Sequence, residues 1–365
     1  MEPSTTEPTP LDISFGSDNH APVHPEVLEG LRVVNDRYVH GYGDDPWTKR
    51  AHDLLTTAFG GSHAFLVPTG TMANALALAA MAPLRGQAVL CADGAHADIH
   101  EAGAVEALGI KLIPLSTTNG LVSIDDLERR LGATQDVHEA QIAGTTLSLP
   151  SEFGTLYDDA AVKRISDIRR PDGSRPLLHL DGARIYAAIT DALGDANCLE
   201  GIRKCVDCYA PDIISVGFTK IGGMDMDAIV CRDQALAGNL ARLVKRQGGL
   251  LSKHRYAAAQ VIAMLHPDEK SNGRPLALIL AKDACDMAVH LRNKLRRVPE
   301  IDITRPVEAN MVFAKVPNSW TKPLHDRFGI YALNAPNEVR MVCSWATKPD
   351  HIDALVAFMQ RGCKD

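Results

Sequence analysis

No apolar run in this chain approaches the roughly 20 residues needed to cross a bilayer, so a spanning helix is not expected. There is no block of Lys or Arg, and the formal net charge is −7. Nucleic acid and membrane surfaces are therefore poor partners. The first ten residues, MEPSTTEPTP, have neither the basic start nor the apolar stretch of a signal peptide. They read as a disordered tail, taken as residues 1–12, and the protein is expected in the cytoplasm. The eight cysteines form no metal framework. Cys205 and Cys208 make a CxxC, but no second pair and no His at ligand spacing accompanies it. Cys91, Cys231 and Cys343 sit in apolar surroundings and read as buried reduced thiols.

What is present suits a globular protein with a sizeable core: 365 residues, 45% hydrophobic and 23% charged. Short apolar runs read as strands over 64–67, 88–91, 111–115, 142–149, 177–180, 213–216 and 228–231. Helical patterns separate them at 71–82, 99–107, 124–131, 158–169 and 199–205. Such alternation, with near-continuous apolar strands, argues for an α/β fold with a mostly parallel sheet covered on both faces. Beyond residue 245 the pattern changes to long helices (255–265, 276–295), two strands (311–315, 339–344) and a last helix from Pro349. The expected division is a large α/β domain over 13–245 and a smaller α+β domain over 246–365.

Four places carry chemistry. Lys220 follows the buried strand ending at Val216, where α/β sheets place their ligands. An amine with a depressed pKa there can form a Schiff base, although a solvated loop lysine fits the same spacing. Asp181 lies just past another strand, where a carboxylate can keep a pyridine nitrogen protonated, or cap the next helix. Arg184 follows with a fork suited to a carboxylate. Gly70 and Thr71 lie at a strand–turn–helix junction whose free N–H groups suit a phosphate; simple capping by Thr69 or Thr71 is the alternative. His96 follows a strand and can lie flat on an aromatic ring, or bond to a turn.

The order of these elements is that of aspartate-aminotransferase-type (fold type I) pyridoxal-phosphate enzymes. Within that group the chain resembles the L-threonine aldolase family of β-eliminating lyases. The matching stretches are FGSDNHAPVHPEV (15–27), GYGDDPWTKR (41–50), PTGTMANALAL (68–78), HADIHEAGA (96–104), LHLDGARIYAA (178–188), SVGFTK (215–220) and VRMVCSWAT (339–347). The resemblance implies pyridoxal 5'-phosphate as cofactor, with Lys220 as the Schiff-base lysine and Asp181 on the ring nitrogen. His96 resembles the histidine stacked on the ring, and Gly70 and Thr71 the phosphate binders. Arg184, Arg340 and Ser17 match contacts to the substrate carboxylate or the cofactor ring. Tyr42 resembles a residue lent by a neighbouring subunit, which implies homodimers or homotetramers with shared active sites. Asp44-Asp45-Pro46 beside it also reads as a plain turn.

This chain departs from the family pattern in three places. Glu152, in LPSEFG, stands where many members have His. KIGGMDMD follows the lysine in place of a Lys-Gly-Leu-Gly-like stretch. A phosphate-binding arginine is missing from KRQGGLLSKHR; Lys253 or Arg255 could substitute, and Arg255 could equally cover a helix face. The implied activity is retro-aldol cleavage of L-β-hydroxy-α-amino acids to glycine and an aldehyde, in a subgroup favouring bulky substrates such as phenylserine. His96 is the first candidate for the base, and Glu152 or a bound water the second. β-Elimination or transamination on the same scaffold is the alternative, and a non-catalytic cofactor-binding protein a further one. No metal motif is read.

Overall fold

The structure is a computed structural model; it describes residues 11–134, 136–190, 192, 198–267, 271–333, 335 and 337–364. Most of the expected N-terminal tail lies outside these residues. The chain divides into two compact units, Val23–Lys282 and a second joining the segment up to Pro22 with Asp283 onward.

Among the described residues the first unit is built on nine strands: β1 (His63–Val67), β2 (Ala88–Ala92), β3 (Lys111–Leu115), the hairpin β4–β5 (Thr117–Thr118, Leu121–Val122), β6 (Ile142–Ser148), β7 (Leu177–Gly182), β8 (Ile213–Gly217) and β9 (Asp227–Cys231). All but the hairpin join one sheet, in the order β1-β9-β8-β7-β6-β2-β3. Neighbours from β8 to β3 run parallel; β9 alone is reversed, antiparallel to both β8 and β1. The expected mostly parallel α/β sheet is what the chain forms. Every residue of β2, β8 and β9 is buried, as a sheet covered on both faces requires.

Covering helices include Gly70–Met81, which packs against β8 and against the helix Gln234–Arg246. The helix Pro46–Phe59 packs against Arg255–Leu265 and Leu199–Asp207. Its start explains the Asp44-Asp45-Pro46 cluster, which is a helix cap. Asp45 accepts from Thr48 N at 2.8 Å, Pro46 opens the first turn, and Gly60 ends the helix in the left-handed region. Because Arg255–Leu265 packs on Pro46–Phe59, it belongs with the sheet, and the division falls at 282/283 rather than at 245/246.

The second unit holds a four-stranded antiparallel sheet, β10 (Asp302–Ile303), β11 (Met311–Lys315), β12 (Tyr331–Ala332) and β13 (Glu338–Val342), in the order β10-β11-β13-β12. The N-terminal segment, expected with the large domain, sits here. Fully buried Phe15 donates its N–H to Phe328 O at 2.9 Å and accepts from Val342 N at 2.7 Å. Its ring joins Leu291, Leu324, Phe328, Met341 and Phe358 in the core of this unit.

Candidate active site

The site is a property of the sheet's strand directions. β1, β2, β6, β7 and β8 all point the same way, so their carboxyl ends share one edge, and reversed β9 begins there. The residues just past those ends are Gly70 and Thr71 after β1, His96 after β2, Glu152 after β6, Asp181 and Arg184 at the end of β7, and Lys220 after β8. Open α/β sheets bind ligands along such an edge. Seven of the residues singled out in the sequence are thus brought together.

Asp181 is 6% exposed. Its Oδ1 accepts from Ala183 N at 3.1 Å and its Oδ2 from Asn74 Nδ2 at 2.9 Å. Among the described residues no cationic side chain bonds to it. A buried carboxylate of this kind favours a positive partner, and a protonated ring nitrogen has the matching charge. Asp181 is not the cap of the helix Ile185–Ile189, whose N-cap position is Arg184.

Lys220 lies half-buried in the single turn Thr219–Ile221. That turn is pinned by Asp227, whose Oδ1 accepts from Phe218 N at 2.7 Å and from Thr219 N at 3.2 Å. Burial raises the Asp227 carboxyl above its ordinary range, and these two N–H groups and the nearby Lys220 work against that rise.

At the phosphate turn, Thr69 caps the helix by accepting from Met72 N at 3.1 Å. The N–H groups of Gly70 and Thr71 open the helix, where an anion is favoured. The loop carrying Lys253 passes beside this turn, for a Cβ on Gly249 would lie 2.7 Å from Met72 Sδ. Lys253 is exposed. Arg255 Cζ lies over the Tyr256 ring, 5.0 Å from its centroid. Exposed Tyr42 adopts a left-handed backbone, and Lys245 Nζ lies 4.6 Å from its ring centroid.

His96 is half-exposed, and its Nδ1 lies 2.8 Å from Glu101 Oε1. This bond raises the proton affinity of the ring above the ordinary histidine value; burial opposes it. Glu152, Lys220 and Asp181 lie within electrostatic range of the ring, the two carboxylates raising its proton affinity and the lysine lowering it. Glu152 stands on a tight turn closed by Gly154 N donating to Ser151 O at 2.8 Å, and Ser151 Oγ and Thr155 Oγ1 anchor that turn to Asn119 O.

Sequence reasoning missed the roles of Asn74 and Glu101. A helix is expected over 99–107, but the structure has two short ones, His96–Ile99 and Ala104–Ala107. Ala102 and Gly103 take positive φ between them, and the break turns Glu101 inward. Gly103 was the available signal, as was a lone Asn in the apolar run ANALALAA.

Ser17 and Arg340 belong to the second unit. Ser17 caps a short turn, accepting from Asn19 N at 3.2 Å. Arg340 lies on β13 opposite Phe313 and Tyr331, and the strand continues into Val342, which bonds to Phe15. No helix among the described residues is long and apolar enough to cross a membrane.

Comparison with known proteins adds three findings. The family model of beta-eliminating lyases matches residues 16–319. A low specificity L-threonine aldolase from Pseudomonas aeruginosa is 30% identical over 345 residues, 93% of this chain and 95% of that protein. The solved structure of a Leishmania major threonine aldolase superposes with a TM-score of 0.81 at 25% identity, covering 96% of this chain and 100% of that one.

Proposed function

The chain belongs to the beta-eliminating lyase family, and on that premise we propose that it cleaves L-β-hydroxy-α-amino acids to glycine and an aldehyde. Threonine, allo-threonine and phenylserine-like compounds are the substrates. The observation that carries this reading is His96, a half-exposed imidazole within electrostatic range of Lys220, Asp181 and Glu152 at one sheet edge.

Bound pyridoxal 5'-phosphate would supply an electron sink for a bond broken at the substrate Cα. Lys220 would hold it through its amine, Asp181 would pair with its ring nitrogen, and the N–H groups of Gly70 and Thr71 would meet its phosphate. Lys253 is the candidate for the missing arginine. Ser17, Arg184 and Arg340 are the candidate carboxylate contacts, by family resemblance. Such positioning can be worth several kcal/mol by setting one bond for cleavage.

His96 takes the β-hydroxyl proton in this scheme, and Glu152 is the second candidate. We infer, from the family resemblance, a cytoplasmic homodimer or homotetramer in which exposed Tyr42 would reach a neighbouring subunit's site.

The test is aldehyde and glycine release by cofactor-loaded protein from L-threonine, L-allo-threonine, both L-phenylserine diastereomers and the D-forms. Equal aldehyde and glycine from the L-forms are expected. Pyruvate with ammonia, or dependence on a keto acid, would replace the aldol reading with elimination or transamination.

A further inference from the structure

One carboxylate at this edge is not used by the scheme above. The Glu101 side chain is wholly buried. Its Oε1 accepts from Asn74 Nδ2 at 2.9 Å and meets His96 Nδ1 at 2.8 Å, while among the described residues its Oε2 has no hydrogen-bond partner. Asn74, 3% exposed, also donates from Nδ2 to Asp181 Oδ2 at 2.9 Å. Asp181, Asn74, Glu101 and His96 therefore form one unbroken hydrogen-bonded chain.

The directions along this chain follow from its chemistry. An amide nitrogen only donates, so its two hydrogens go to two carboxylates, and each carboxylate accepts. An ionised Glu101 has no proton to give, so His96 Nδ1 must carry the hydrogen between them. A carboxylate removed from water needs a charge-assisted partner. Among the described residues, His96 is the one cation-capable side chain bonded to Glu101. Three other charged groups act on the His96 ring, Glu152 from the turn after β6, Asp181 from β7 and Lys220 from the turn after β8, and the His100 ring lies 5.6 Å away.

We propose that Glu101 is a positioning residue for the aldol cleavage, fixing His96 in the Nδ1–H tautomer so that Nε2 is the ring nitrogen that takes the hydroxyl proton. Asn74 locks this pair to the Asp181 carboxylate. The inference rests on the reading of His96 as the base. In the step itself, the O–H proton passes to Nε2. The freed oxygen pair becomes the second bond of the aldehyde carbonyl, and the Cα–Cβ pair stays with Cα. The imidazolium that results is stabilised by the buried carboxylate at Nδ1.

The experiment is nitrogen NMR of histidine-labelled, cofactor-loaded protein across pH, with His96→Asn for assignment, beside the pH profile of kcat/KM. In the unaltered protein His96 is expected as the Nδ1–H tautomer, titrating above the ordinary histidine value. In Glu101→Gln the negative charge is gone and the amide can donate to Nδ1. The His96 titration then falls by about one pH unit or more, the Nε2–H tautomer appears, and the acid limb of kcat/KM moves down with it. The loss is expected in kcat, with KM changed less than about twofold. An Nε2–H tautomer in the unaltered protein overturns the proposal, and so does an unmoved titration in a folded Glu101→Gln. If that variant does not fold, the tautomer in the unaltered protein decides alone. Absence of aldehyde from the unaltered protein would refute the aldolase reading, whereas the tautomer measurement judges the Glu101 assignment separately.

Discussion

Taking the protein from about pH 7.5 to about pH 5 should cost about 2 kcal/mol of folding stability through a single side chain, His179. Its ring is fully buried on β7. Nδ1 lies 2.8 Å from Thr146 Oγ1 on β6, and Nε2 lies 2.9 Å from Ser215 Oγ on β8. Burial pushes the imidazole down to about 4, against the smaller opposing pull of Asp181. The unfolded chain titrates near the ordinary value of about 6.5. Between these two values the unfolded state holds a proton that the folded state refuses, so stability rises with pH across that window. The contribution is fully present above about 6.5 and lost as pH falls. Linkage puts the loss at about 2 kcal/mol by pH 5 and about 3 below pH 4. In His179→Gln this dependence disappears, although the variant starts lower because the Thr146 and Ser215 hydroxyls lose a partner, at about 1–3 kcal/mol. Urea unfolding of both proteins at the two pH values isolates the effect, since the other titrating groups are shared and cancel. Equal pH losses in the two proteins would refute the reasoning.

Lys220→Ala should retain the fold but lose covalent cofactor attachment; borohydride reduction and peptide mass analysis should find the group on Lys220 in the unaltered protein, and a different labelled lysine would sink the assignment. Asp181→Asn should bind cofactor yet turn over on the order of 100-fold more slowly, and near-normal turnover would remove its ring-nitrogen role. Gly217→Ala would place a Cβ 2.3 Å from Ala183 O, so thermal melting should show a loss of about 1–3 kcal/mol; an unchanged midpoint would mean that β7 and β8 can separate there freely.

The strands were legible because a sheet covered on both faces demands unbroken apolar runs, and composition records that demand directly. Direction is not recorded in it. Nothing in DAIVC marks β9 as reversed, and that reversal depends on pairing with strands far away in sequence. The N-terminal segment was misassigned for the same reason, since the partners of Phe15 lie over 300 residues on. At the site, spacing made the strand-end residues Lys220, Asp181 and His96 candidates, and the family resemblance supplied the roles they are given. Glu101 could not be found this way, because the stretch 99–107 reads as one helix locally and the tertiary fold breaks it at Ala102 and Gly103.

The pairing of Gly217 with Asp227 bears on how this protein could be re-engineered. Lys220 sits on a short span whose two ends are both stitched into the sheet, and Asp227 holds that span from within. It behaves as a fixed anvil, and any exchange of ligands must be accommodated by other segments. The turn bearing Glu152 is held to the hairpin through Asn119 O and a few hydroxyls. It is therefore the exchangeable tool. Libraries aimed at substrate range belong at 152–153, between the anchoring hydroxyls, where altered sequence leaves the lysine's footing untouched, whereas changes across 217–227 would trade selectivity against the foundation itself.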